Sequence, residues 1–317
     1  MNSQALQPFL PDKIKVRDSF DRAAAHYDEV AVLQREVGTR LLDRLSEVRL
    51  APMRILDIGA GTGNGTVALA QRYPQSLVVA ADLSVEMLRQ ARRRTLGRAA
   101  KIIEKIGPWL SQGLVRRSGQ RFVCADTETL PFAAECVDLI YSNLTLQWCL
   151  DLDQTFAELR RVLRSEGLLV FSTFGPDTLR ELRSAWQSVD DYSHVNAFID
   201  MHDIGDALVR AGFSGIVMDV EHVTLTYPDL RGLMRDLKVL GAHNVTHGRP
   251  RGLTGRERLK QLTTAYEAFR HNGRLTATHE VIYGHAWSAP IRPRQSAETT
   301  TIPLKQLRRS NTNLHVG

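Results

Sequence analysis

Residues 57 to 63 place an acidic side chain and three alternating glycines directly after an apolar run: Asp57-Ile58-Gly59-Ala60-Gly61-Thr62-Gly63. Glycine tolerates positive φ and has no Cβ, so such a segment lets backbone approach a ligand closely. A helix starting after the glycines adds free N–H groups. A second apolar run, Val78-Val79-Ala80-Ala81, closes on Asp82 and Leu83, with Asp82 nineteen residues after Gly63. A carboxylate at the end of that strand can accept hydrogen bonds from both hydroxyls of a ribose. Glycines, Asp57 and Asp82 together point to a nucleoside cofactor. They do not form a dinucleotide fingerprint, because Asn64 stands where Gly-x-Gly-x-x-Gly needs its third glycine.

Other polar residues follow later apolar runs. Cys124-Ala125-Asp126-Thr127 ends one of them, and Asp138-Leu139-Ile140-Tyr141-Ser142-Asn143 ends another. His243 and His247 have a helical metal spacing, but there is no His-Glu-x-x-His, and Gly248 and Pro250 would end a helix there, so no metal is expected. Neither a Ser/His/Asp order nor a nucleophile elbow is present.

Strand and helix signals alternate, which implies a parallel sheet with helices on both faces. Strands are expected at 54–58, 77–81, 121–124, 137–141 and 168–174, with two more near 216–226 and 276–287. Helices are expected at Asp153–Leu163, where Phe156, Leu159, Val162 and Leu163 make one stripe, and at Asp203–Ala211 before Gly212. Ligands of open α/β sheets bind at the carboxyl ends of the strands, so the loops after 58, 82, 124 and 141 should converge on one cleft. Segments 175–200 and 228–272 would then cover it as a cap within a domain spanning 51–290. Residues 1–50 are expected to be an N-terminal helical segment and 291–317 a disordered tail. Residues 92–120 make a long excursion with no readable role.

With 317 residues, 43% apolar and 24% charged, the chain can bury one large core and a smaller cap. Three cysteines without a Cys-x-x-Cys pair suit a reducing cytoplasm. The first twenty residues contain no signal-peptide core, and no run reaches membrane-spanning length. The net charge of +6 gathers partly at Arg92-Arg93-Arg94, Arg116-Arg117, Arg249 with Arg251, and Arg308-Arg309. A basic surface of this kind favours acidic partners.

The Asp-x-Gly-x-Gly-x-Gly pattern resembles motif I of class I S-adenosylmethionine methyltransferases. Outside it, four stretches resemble the malonyl-acyl carrier protein O-methyltransferases of biotin synthesis: Ser19 to Asp28, Ser142 to Cys149, Leu182 to Asp190, and Met234 to Asn244. The similarity runs from about 15 to 287. It implies a Rossmann-like α/β fold: a seven-stranded sheet, its last strand antiparallel between the fifth and sixth, with an α-helical cap. It also implies S-adenosyl-L-methionine as cofactor, held by Asp57, Gly59, Gly61, Gly63, Asp82, Leu83, Asp126, Thr127 and Asn143, with Asp126 near the adenine amino group. Tyr27, Trp148, Lys238 and His243 are the candidates at the reacting end, with His26 and Trp186 as further chamber walls. The implied reaction esterifies the free carboxylate of a malonyl thioester on acyl carrier protein, and the carrier's acidity would match the basic clusters. A small-molecule or quinone methyltransferase and a methyltransferase-like respiratory-complex assembly factor stay open. An RNA-directed activity is disfavoured, because the Pro-Pro-aromatic element of many nucleic-acid amine methyltransferases is missing.

Overall fold

The computed structural model describes residues 12–106, 119–241 and 255–289. The elements in chain order are α1 (Lys13–Ala23), α2 (Tyr27–Val30), α3 (Val32–Arg44), β1 (Arg54–Ile58), α4 (Asn64–Arg72), β2 (Leu77–Asp82), α5 (Val85–Ile106), β3 (Gln120–Cys124), β4 (Val137–Asn143), α6 (Leu152–Val162), β5 (Leu163–Phe174), α7 (Arg180–Gln187), α8 (Met201–Arg210), β6 (Phe213–Tyr227), α9 (Leu230–Val239), α10 (Arg256–Tyr266), β7 (Arg270–His271) and β8 (Arg274–Ser288). Every expected strand is present. The expected excursion at 92–120 begins as a continuation of α5. Residues 107–118 lie outside the described residues, as do the tail and the stretch 242–254 within the expected cap.

The sheet order is β3-β2-β1-β4-β5-β8-β6, with the two-residue β7 added against β8. The pairs β3–β2, β2–β1, β1–β4 and β4–β5 are parallel, and β8 runs antiparallel to both β5 and β6. This is the inserted last strand that the resemblance implies. Alternation along each strand sends side chains to opposite faces. Leu56, Ile58, Ile140, Leu169 and Phe171 pack on one face with Phe156 and Leu159 of α6 and Ala207 and Leu208 of α8. Ile55, Val78, Leu139, Tyr141 and Val170 pack on the other with Val37 and Leu41 of α3 and Leu69 of α4. Burial on both faces is why these strands read as unbroken apolar runs.

β5 ends at Phe174, opposite Val281, but β6 and β8 stay paired as far as Tyr227 and Leu275. The ribbon therefore continues past the carboxyl end of the parallel sheet. Leu275 and Ala277 on it pack with Leu182 and Trp186 of α7, Leu230 and Leu233 of α9, and Leu262 and Tyr266 of α10. That smaller core is the cap, and it stands over the ends of the strands. Among the described residues no helix is long and apolar enough to cross a membrane.

Candidate active site

The loops after β1, β2, β3 and β4 converge on one cavity. Gly59, Gly61, Asp82, Leu83, Asp126, Thr127, Asn143, Leu144 and Thr145 line it. Gly59, Gly61 and Gly63 have φ of +65°, +54° and +84°, conformations that L side chains rarely adopt. They are not equivalent. A Cβ on Gly59 would lie 1.9 Å from Thr145 Oγ1, and one on Gly63 would lie 2.8 Å from Ala91 Cβ, so those two glycines allow protein to pack against protein. A Cβ on Gly61 would meet no protein atom nearer than 4.0 Å. Since Gly61 lines the cavity, that Cβ would occupy ligand space.

Asp82 is fixed by backbone. Its Oδ2 accepts from Gly61 N–H and its Oδ1 from Ser84 N–H, both at 2.8 Å. A carboxylate has about four acceptor directions, so each oxygen keeps one for a ligand. Burial raises its pKa to about 6, and nearby Asp21 adds to the rise against the pull of the two backbone bonds. Asp57 lies behind the loop instead of in the cavity. It is buried and accepts from Thr66 Oγ1 of α4 at 2.6 Å, and burial raises its pKa to about 7. Asn143 donates from Nδ2 to the Gln34 carbonyl (3.0 Å) and accepts from Ser172 Oγ (2.8 Å), which joins the cavity floor to α3.

The N-terminal helices close the cavity. Lys13, Val16, Phe20 and Tyr27 all line it. Lys13 Nζ lies 2.6 Å from both Asp126 Oδ1 and Glu128 Oε2. Burial alone would lower the Lys13 pKa, but these two partners leave it raised. Phe20 meets the Trp148 ring edge-on at 5.4 Å, and the Tyr27 ring lies 6.4 Å from Phe20. Burial, with Asp82 and Asp28 nearby, holds the Tyr27 hydroxyl well above its ordinary pKa, so it stays protonated.

A second cavity of about 220 Å³ opens beside the first, beneath the cap. Its walls come from the start of α3 (Val32 to Gln34), Gln147 and Trp148, Phe174, Asn196 and Phe198, the ribbon (Leu225 to Tyr227 and His279), α9 (Asp236, Leu237) and Leu240 just after it. Among the described residues Trp148 alone lines both cavities. His279 is 5% exposed and its Nδ1 has no hydrogen-bond partner. Burial lowers its pKa to about 4, against the opposing pull of the Ala277 carbonyl and Glu181.

The expected chamber residues divide. Trp148 lies at the junction, whereas Tyr27 belongs to the first cavity. Trp186 is buried in the cap core with its ring stacked on His194 at 3.6 Å. His26 is exposed and pairs with Glu29. Lys238 is exposed on α9 and lines neither cavity. His243 lies outside the described residues, as do His247, Arg116, Arg117, Arg249, Arg251, Arg308 and Arg309. Arg92 and Arg93 are exposed, while Arg94 bonds Asp28 and Asn64. Lys13, Val16, Phe20 and His279 were missed from sequence. The first three lie three and four residues apart, a helical stripe that periodicity could have shown.

Residues 56–171 match a family model described as a methyltransferase domain. The chain is 53% identical over 284 residues to a malonyl-acyl carrier protein O-methyltransferase of Methylovorus sp. (strain MP688), covering 90% of this chain and 92% of the relative. It is 50% identical over 295 residues to the protein of the same name from Laribacter hongkongensis (strain HLHK9), covering 92% and 95%. Among solved structures, the YcgJ protein of Bacillus subtilis matches with a TM-score of 0.51 and 18% identity, covering 80% of this chain and 98% of that one, a likeness in fold.

Proposed function

The chain belongs to the malonyl-acyl carrier protein O-methyltransferase family, and from that premise we propose that it esterifies the free carboxylate of a malonyl thioester on acyl carrier protein. The cofactor is S-adenosyl-L-methionine, which when bound supplies an electrophilic methyl group on a sulfonium sulfur. The first cavity suits it: Gly61 leaves ligand space where a Cβ would intrude, and Asp82 keeps acceptors for a ribose. Asp126, Thr127 and Leu83 would flank the base, and Asn143 would stand toward the amino-acid end.

The observation that carries this reading is the pair of adjoining cavities with Trp148 as their common wall. A carboxylate entering from beneath the cap meets the cofactor cavity there. A malonyl half-acid is already ionised at neutral pH, given reference carboxyl values near 4. The protein therefore need not remove a proton. Its residues align the attacking oxygen and exclude water that would otherwise solvate it. Val30, Leu33, Phe174, Phe198, Leu225 and Leu240 supply that dry wall. The protonated Tyr27 phenol and the neutral His279 ring are donors, and neither is placed as a base.

The acidic carrier protein would be drawn to the basic surface, where Arg92, Arg93, Arg231, Arg235 and Lys238 are exposed. The three free thiols fit a reducing cytoplasm. The resemblance of the sequence to its family implies that this esterification serves biotin synthesis. A competition assay tests the substrate class: malonyl thioester and quinone precursors are offered together with labelled cofactor. Label is expected in the malonyl ester, and preferential labelling of a quinone precursor would refute the proposal.

A further inference from the structure

Buried polar atoms normally have hydrogen-bond partners, and each exception needs a reason. Among the described residues, three of the exceptions, Gln34 Oε1, Asn196 Oδ1 and His279 Nδ1, belong to residues lining the chamber beneath the cap. The others, on Ser142, Asp190, Tyr283 and Ser288, do not line it. The three chamber residues come from separate parts of the chain: α3, the 188–200 loop and the β8 ribbon. Their convergence is tertiary.

We propose that Gln34, Asn196 and His279 form the recognition site for the malonyl carboxylate, receiving it through neutral hydrogen-bond donors. The proposal rests on the malonyl reading given above. No lysine or arginine lines the chamber among the described residues. Asp236, the one acidic lining residue among those described, is hydrogen-bonded by the Tyr227 side chain. Among the described lining residues, the imidazole of His279 and the side-chain amides of Gln34 and Asn196 carry the buried polar atoms left without a partner, and these are the groups free to meet an anion. A primary amide offers NH2 or C=O after a half-turn, and an imidazole nitrogen is donor or acceptor by tautomer. Each orphaned group can therefore donate to an arriving oxygen.

Position supports the same assignment. His279 shares its face of β8 with Val281 and lies just past Phe174, the end of β5, with the Phe174 ring 5.8 Å from the imidazole. Gln34 is tied to the cofactor cavity, because its carbonyl accepts from Asn143 Nδ2 at 3.0 Å. The Gln34 backbone is thus joined to a residue of the first cavity while Gln34 itself lines the chamber. The chemistry also gains: a neutral donor orients a carboxylate without the charge neutralisation of an ammonium or guanidinium, so the oxygen stays nucleophilic. Burial keeps His279 neutral at physiological pH, in line with that role.

The test uses the full chain, S-adenosyl-L-methionine and malonyl-coenzyme A, with His279→Phe, Asn196→Leu and Gln34→Leu. Each variant should raise KM for malonyl-coenzyme A by about tenfold or more, because a site built to bond a polar group loses its partner. S-adenosylhomocysteine affinity should stay within about twofold, since no chamber atom is lost from the first cavity. His279→Gln, which keeps a neutral donor, should recover most of the loss and guards against misfolding of the Phe variant. Unchanged KM in folded variants would overturn the inference while leaving the malonyl reading intact. A parallel fall in S-adenosylhomocysteine affinity would assign these residues a structural role and overturn it too. Wild-type protein that binds S-adenosylhomocysteine but methylates no malonyl thioester would overturn the reading itself, and the inference with it.

Discussion

Asp82→Asn separates a ligand-binding carboxylate from one that only supports a loop. In the wild type each oxygen accepts one backbone N–H, from Gly61 and from Ser84, both at 2.8 Å. The two remaining acceptor directions would serve the ribose hydroxyls. Hydrogen bonds to a charged group contribute about 1.5–3 kcal/mol and neutral ones about 0.5–1.5, so removing the charge from two bonds costs about 2–3 kcal/mol of binding. At about 1.4 kcal/mol per decade this weakens the cofactor roughly 30- to 140-fold. The asparagine NH2 must also face one backbone N–H, donor against donor, which costs stability. Stability gains on another count, because burial raises the Asp82 pKa to about 6 and the ionised group opposes folding at neutral pH. The two effects offset, so the melting temperature should move little while affinity falls. Calorimetry with S-adenosylhomocysteine at pH 8, where Asp82 is ionised, measures the loss. Affinity within about threefold of wild type in the folded variant would refute the assignment of the ribose site.

Other outcomes follow from the same geometry. Asp57 and Asp82 have raised pKa values of about 7 and 6. Their stabilising contribution is complete below the ordinary carboxyl value and is lost as pH rises through these values. Urea unfolding of wild type against Asp57→Asn between pH 5 and 8 should therefore show the wild type losing stability relative to the variant as pH rises; a constant difference would contradict the raised value of Asp57. S-adenosylhomocysteine affinity should fall as pH is lowered through about 6 and Asp82 takes up a proton, as titration calorimetry across that range would show. Gly61→Val should lose about 1–3 kcal/mol of stability to backbone strain at positive φ yet stay folded and lose cofactor binding, whereas Gly59→Ala should lose stability through a Cβ that meets Thr145; thermal melts with and without S-adenosylhomocysteine distinguish them, since only the Gly61 variant should show no shift on adding ligand. Lys238→Met should leave malonyl-coenzyme A turnover within about twofold of wild type, as expected for an exposed side chain on a helix face.

The parallel half of the sheet was legible because β1, β2 and β4 are buried on both faces and their ends carry Gly59, Gly61, Asp82 and Asn143. Strand ends fix where the cleft lies, and residues next to strand ends are close in sequence to a strong signal. The roles within the glycine motif were not legible. Gly63 packs on Ala91, and Asp57 bonds Thr66 behind the loop, both contacts that depend on how the helices dock. The cap residues were harder still. Trp186 and Trp148 look alike in sequence, yet one fills a core and the other separates two cavities. Lys238 could have been assigned to the surface, since Arg231, Arg235 and Lys238 share one stripe of α9 opposite the buried Leu233. His279 gave no local sign. It became visible only when β8 inserted between β5 and β6 and carried it past the end of the parallel strands.

The most direct test of the central claim is methyl transfer from labelled S-adenosyl-L-methionine to purified malonyl-acyl carrier protein, with acetyl-acyl carrier protein alongside as the same carrier lacking the carboxylate. Label is expected in the malonyl protein alone, released by mild base as for a methyl ester. Label in both proteins, or in neither when the enzyme is folded and binds S-adenosylhomocysteine, would contradict it.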